Sequence, residues 1–145
     1  MTRYWILTLI AVLLSWTAGA QQKQLSEIAA HLETNRISLQ YACTYTEEVP
    51  VQLSGTLLIQ ETCYRAEGNG MVIICDGRSR WTVDPESKEV YIEPAEGLEE
   101  LIAMRNSLTE LQISGIRYQP LSEDLSPFHF DTAALGPDWV VTDLR

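Results

Sequence analysis

Residues 71–94, MVIICDGRSRWTVDPESKEVYIEP, constrain this chain more than any other stretch. They read as three short strands joined by two turns. Asp76-Gly77 marks the first turn and Asp84-Pro85 the second. Gly accepts left-handed backbone, Asp bonds the backbone two residues on, and Pro presets φ. Apolar residues alternate through the segment, so it predicts part of a curved antiparallel sheet with one heavily apolar face.

The same alternation extends upstream. Residues 23–35 fit one amphipathic helix, with Leu25, Ile28, Ala29 and Leu32 at helical spacing and Asn35 as its stop. From Ile37 the period becomes two, and Ile37, Leu39, Tyr41, Cys43 and Tyr45 predict a half-buried strand. Further strands are predicted at 51–59, 62–67, 71–75, 80–83 and 89–93. Gly68-Asn69-Gly70 is taken as a three-residue turn between the third and fourth. Residues 96–105 read as a short helix that acids start and Arg105 ends. Residues 108–116 and 128–130 are weaker strand candidates, 120–127 a loop, and 139–144 the last strand. The fold class expected is α+β: a curved antiparallel sheet forming an unclosed barrel, with two helices over its concave face.

Parity followed through these turns assigns side chains to faces, and a one-residue slip would invert a strand. One face gathers Leu39 and Tyr41 from the first strand and Leu53, Leu57 and Ile59 from the second. Tyr64, Val72 and Ile74 continue it, then Trp81 and Val83, then Val90 and Ile92. The other face carries Leu58, Cys63, Arg65, Met71, Ile73, Cys75, Thr82 and Tyr91. Burying one large apolar side chain contributes roughly 1.5–3 kcal/mol, so the first face needs cover. The cover is either the chain's own helices, giving a packed core, or a ligand.

Residues 1–20 have the layout of a secretory leader. Arg3 is followed by an apolar run from Trp5 to Leu14 and by Ala18-Gly19-Ala20, which predicts cleavage after Ala20. The run is shorter than the ~20 residues of a spanning helix. Residues 21–145 then suit one domain. The formal charge of −10 disfavours nucleic acid and anionic lipid surfaces. Any lipid contact is expected with extracted chains in a pocket.

Cys43, Cys63 and Cys75 remain in the mature chain. The three-residue turn would set Cys63 opposite Cys75 on one face, within reach of a disulfide, with Cys43 on the other. The alternative is three small buried residues. No serine or cysteine carries a nucleophile signature, and no Cys/His spacing matches a zinc site. His31 falls in the helix and His129 between two phenylalanines. Asp76 and Asp84 read as turn formers, and Glu96, Glu99 and Glu100 as a solvated helix start. Enzyme activity is not expected, and no metal or other cofactor is implied.

One family resemblance emerges from the order helix, strand, Gly55-Thr56-Leu57, Tyr64-Arg65, Asp76-Gly77, Trp81-x-x-Asp84-Pro85 and Glu89-Val90. The chain resembles the periplasmic outer-membrane lipoprotein carriers (LolA-like proteins) of Gram-negative bacteria. Its ending, FHFDTAALGPDWVVTDLR, is similar to theirs. The resemblance implies an unclosed barrel that holds lipoprotein acyl chains on its apolar face. It implies cargo received from an inner-membrane ABC transporter complex and passed to an outer-membrane acceptor. The lining expected is Leu39, Tyr41, Leu53, Leu57, Ile59, Tyr64, Ile74, Trp81, Val83 and Ile92, with Trp81 near the middle. Gln60-Glu61-Thr62 stands where carriers place an arginine that ties the lid closed, so that role passes to no residue here. A small periplasmic adaptor, binding a protein partner through the 120–127 loop or a sheet edge, is the competing expectation. A monomer is expected in the carrier reading.

Overall fold

The computed structural model describes residues 20–46, 48–95 and 108–145. Except for Ala20, the leader lies outside these residues, and so does the helix expected at 96–105. The elements are α1 (Ala20–His31), β1 (Asn35–Thr46), β2 (Pro50–Gln60), β3 (Cys63–Gly68), β4 (Met71–Cys75), β5 (Ser79–Asp84), β6 (Glu89–Pro94), β7 (Leu108–Pro120) and β8 (Val140–Asp143). Two 3-10 turns, Ser126–Phe128 and Thr132–Ala134, lie between β7 and β8.

The strands form one sheet in the order β7-β1-β2-β3-β4-β5-β6-β8. Neighbours are antiparallel except that β8 runs parallel to β6. The sheet is open and mixed, with β7 and β8 at its edges, so the α+β expectation holds and the all-antiparallel one is corrected. The route of the chain explains β8. After β7, residues 121–139 cross one face of the sheet and reach β8 at the opposite edge. A long crossover can deliver a parallel strand where a hairpin cannot.

The turn between β3 and β4 decides which side chains share a face. The sequence suggested a three-residue turn, but Gly68 pairs with Met71, leaving only Asn69 and Gly70 between the strands. Both have positive φ, 53° and 75°. That is the primed two-residue turn that Asn-Gly favours, because its twist matches that of the flanking strands. Tyr64 therefore pairs with Cys75, and Arg65 with Ile74. The remaining pairings agree with the sequence reading, so this one-residue slip exchanges the faces of β4, β5 and β6 relative to β1, β2 and β3.

Each face has its own core. On the helix face, Leu25, Ile28 and Leu32 of α1 pack against Ile37, Leu39 and Ile59, all at most 5% exposed. On the opposite face, Ile74, Trp81, Val83, Val90 and Ile92 pack beneath Phe130, Leu135 and Trp139 of the C-terminal tail. α1 stops at His31, short of Asn35, since Thr34 N donates to His31 O and the Asn35 amide already bonds Gln119 O at the start of β1.

β7 extends the weak 108–116 signal to thirteen residues. Its pairing with β1 slips between Ser38 and Gln40 and again between Ala42 and Thr44. Glu110 and Gly115 lie in these intervals with positive φ, 55° and 62°. Each slip inserts one residue into β7 and reverses parity. Leu111, Ile113 and Ile116 thereby all reach the helix-face core despite unequal spacing.

The strand expected at 128–130 is corrected. Asp124 Oδ1 accepts from Ser126 N, Pro127 lacks a ladder donor, and Ser126–Phe128 coils into a 3-10 turn that buries Phe128.

Candidate functional site

The ten residues expected to line one apolar surface divide between the two faces. Leu39, Tyr41, Leu53, Leu57, Ile59 and Tyr64 lie on the helix face, where the β1–β2 and β2–β3 pairings bring them together. Ile74, Trp81, Val83 and Ile92 lie on the tail face, tied together by the β4–β5 and β5–β6 pairings. Trp81 is not the middle of a single lining. It is buried beneath the tail, with the His129 ring edge-on at 5.4 Å.

On the helix face, cover is deepest at one end. Ile37, Leu39 and Ile59 are buried under α1, and Tyr41, Leu57 and Tyr64 are half-buried against the same core. Toward the β1–β2 hairpin, Leu53 is half-buried and Val51 is 48% exposed. Gly55 lies between Leu53 and Leu57 and pairs with Tyr41 on one side and Gly68 on the other. A Cβ on Gly55 would fall 2.1 Å from Glu67 O, and one on Gly68 would fall 2.1 Å from Ser54 O. The two strands approach too closely there for any side chain. The Tyr41 hydroxyl lies 2.9 Å from the same point above Gly55, so the aromatic ring covers the bare backbone.

Across the far strands this face is mixed, with half-buried Met71 and Ile73 beside polar residues. Ile59, Tyr64, Cys75, Arg80 and Glu93 form one cross-strand row, and Arg80 pairs with Glu93. Burial pushes the Tyr64 hydroxyl up to about 12; the neighbouring Cys75 adds to this and Arg80 opposes it.

The tail is fastened by one buried amide. Gln60, 4% exposed, accepts through Oε1 from Arg36 Nε at 2.7 Å and Ser122 N at 3.1 Å. Its Nε2 donates to Ser122 O at 2.8 Å. Arg36 also donates to Asp124 O at 2.6 Å and stands 5.2 Å over the Phe128 ring. Arg65 donates to Pro127 O, adding a further tie. The sequence reading missed this segment as a cover. No periodic signal announces it, since Phe128, Phe130, Leu135 and Trp139 follow neither helix nor strand spacing.

All three cysteines are free and buried. The expected Cys63–Cys75 bridge is corrected by register. With Tyr64 opposite Cys75, Cys63 projects to the tail face and Cys75 to the helix face. Cβ vectors pointing apart cannot be bridged without moving backbone. Burial raises all three thiols above their ordinary value.

Asp76 Oδ1 accepts from Arg78 N and Ser79 N, and Asp84 Oδ1 from Glu86 N and Ser87 N. Both carboxylates close their own turns. His31 is exposed at the end of α1, its ring 4.2 Å from that of Tyr118. The acids at 96, 99 and 100 lie outside the described residues. One open groove of about 690 Å³ spans β7, β1 and β2 and includes Gln40, Ser54, Thr56 and Gln112 in its walls. No family model matches the chain, and no curated protein matches it.

Proposed function

We propose that this chain is a periplasmic carrier that holds acyl chains, in particular those of lipoproteins, on its helix face. The observation that carries this reading is the unequal cover of that face. Leu25, Ile28 and Leu32 of α1 bury Ile37, Leu39 and Ile59, while Tyr41, Leu53 and Leu57 stay half-buried on the same surface. From Leu53 to Ile59 the strip runs about 20 Å at the strand rise, the scale of a long acyl chain. Hydrocarbon replacing the three α1 side chains exchanges one apolar surface for another, so displacement of the helix costs little burial. The His31–Tyr118 stack and the His31 Nδ1 contact with Asn35 Oδ1 at 3.2 Å tie α1 at its C-terminal end, where a lid would hinge.

In this reading residues 1–20 are an export leader cleaved after Ala20, and the rest is one half-barrel domain acting as a monomer. It performs no catalysis and uses no cofactor. An inner-membrane ABC transporter complex delivers cargo and an outer-membrane acceptor takes it. The acidic surface keeps the carrier off anionic headgroups. Native mass spectrometry of the protein from its own periplasm tests this. Adducts of lipid or lipopeptide mass are expected, and unmodified protein alone, with no binding of a fluorescent fatty acid, contradicts it.

A second reading has its own observation. Val140 and Val141 of the edge strand β8, 58% and 42% exposed, and Leu144 just after it, 57% exposed, lie where a partner strand would add. An adaptor function predicts that Val141→Lys removes a co-purifying envelope protein and leaves fatty-acid binding unchanged.

A further inference from the structure

We infer that the face of β7, β1 and β2 opposite the helix binds a neutral glycan chain. The β1 pairings set two rows of side chains across these strands. Ser114, Gln40 and Thr56 form one, and Gln112, Ala42 and Ser54 the other. All but the half-buried Ala42 are exposed. They wall the groove of about 690 Å³, a volume within the usual range of ligand sites. The two long amides stand diagonally across a floor of small residues. Gln40 lies along Gly115, where a Cβ would sit 3.7 Å from its carboxamide carbon.

The chemistry of the walls selects the ligand. None of the six carries a charge, in a chain of formal charge −10. Charged groups border the rows: Arg117 opposite Ser38, Glu110, whose Oε2 accepts from Thr44, and Glu67, which stands beside Thr56 across β2–β3 and is paired with Arg65. Carboxamides and hydroxyls both donate and accept, which matches sugar hydroxyl and acetamido groups. A phosphate or carboxylate finds no cation within the rows, and five of the six side chains in them carry a hydroxyl or a carboxamide. A peptide cannot add as a strand at Gln40 and Ala42, because β1 is paired on both sides. Recognition there must use side chains alone. Among the described residues, none hydrogen-bonds to the side chains of Gln40, Ser54, Thr56, Gln112 and Ser114.

Calorimetric titration of the full chain with an N-acetylglucosamine oligomer and a cello-oligosaccharide tests the site. Saturable binding of at least one is expected. The double variant Gln40→Ala, Gln112→Ala should weaken it about tenfold or more, as loss of two ligand hydrogen bonds implies. Thr56→Glu should weaken it similarly. Since these side chains are exposed, the urea midpoint should stay at the wild-type value, and fluorescent fatty-acid binding should not change. The site is therefore judged separately from the acyl-carrier reading. Failure of both sugars to bind, or unchanged affinity in the double variant, overturns the inference.

Discussion

Tyr64 stands directly opposite Cys75 across the β3–β4 hairpin, and that pairing turns Cys63 and Cys75 to opposite faces of the sheet. Three reactive thiols are therefore expected when the protein, purified without reductant, is denatured and titrated. In the folded protein, alkylation at neutral pH should be slow, because burial raises all three thiols and reduces the thiolate that reacts. A single thiol per chain would show a bridge and contradict the register.

Tyr64 also gives the protein a pH dependence in the alkaline range. Its folded value, about 12, lies above the ordinary 10.0. A group whose folded value is raised stabilises fully below the unfolded value and loses that contribution as pH rises. Stability should thus fall between pH 10 and 12, with a smaller contribution of the same sign from the exposed Tyr91, which the Glu89 carboxylate raises. Tyr64→Phe should flatten this slope in urea melts, and tyrosinate absorbance should lose its latest-titrating component, since Tyr41, Tyr91 and Tyr118 are raised less.

The glycines differ in kind. Gly70 has φ of 75° and nothing within 4 Å of its missing Cβ, so Gly70→Ala should cost only the conformational penalty, roughly 1–2 kcal/mol. Gly68→Ala places a methyl 2.1 Å from Ser54 O and should cost about 3 kcal/mol or more through overpacking. Chemical denaturation of the two variants should preserve this order.

Gln60 fastens the tail. Gln60→Ala leaves Arg36 and both Ser122 backbone groups without their partner, and should cost about 1–3 kcal/mol. Limited proteolysis should cut first within 121–127. An unchanged proteolytic pattern would show that the tail holds without this amide.

Much of the sheet was legible because half-buried strands alternate and because Asp76-Gly77 and Asp84-Pro85 are turns whose chemistry is local. The faces were less so. Parity carries an error forward, and taking Gly68 into the turn instead of pairing it with Met71 moved Ile74, Trp81, Val83 and Ile92 onto the wrong surface. The preference of Asn-Gly for a two-residue turn was the available correction. β7 was obscured because its two bulges break the period of two. The crossing tail could not be read as an element, since its contacts, such as Gln60 with Ser122 and Trp81 with His129, lie far apart in sequence and follow no local period.

The most direct test of the acyl-carrier account is fluorescent fatty-acid affinity measured in parallel for variants of the two faces. Leu53→Asn and Leu57→Gln change half-buried side chains on the helix face, and Val72→Thr changes one on the tail face. With folding verified by urea midpoint, the account predicts saturable wild-type binding, lost or weakened about tenfold in the first two and unchanged in the third. No wild-type binding, or equal weakening by Val72→Thr, would contradict it.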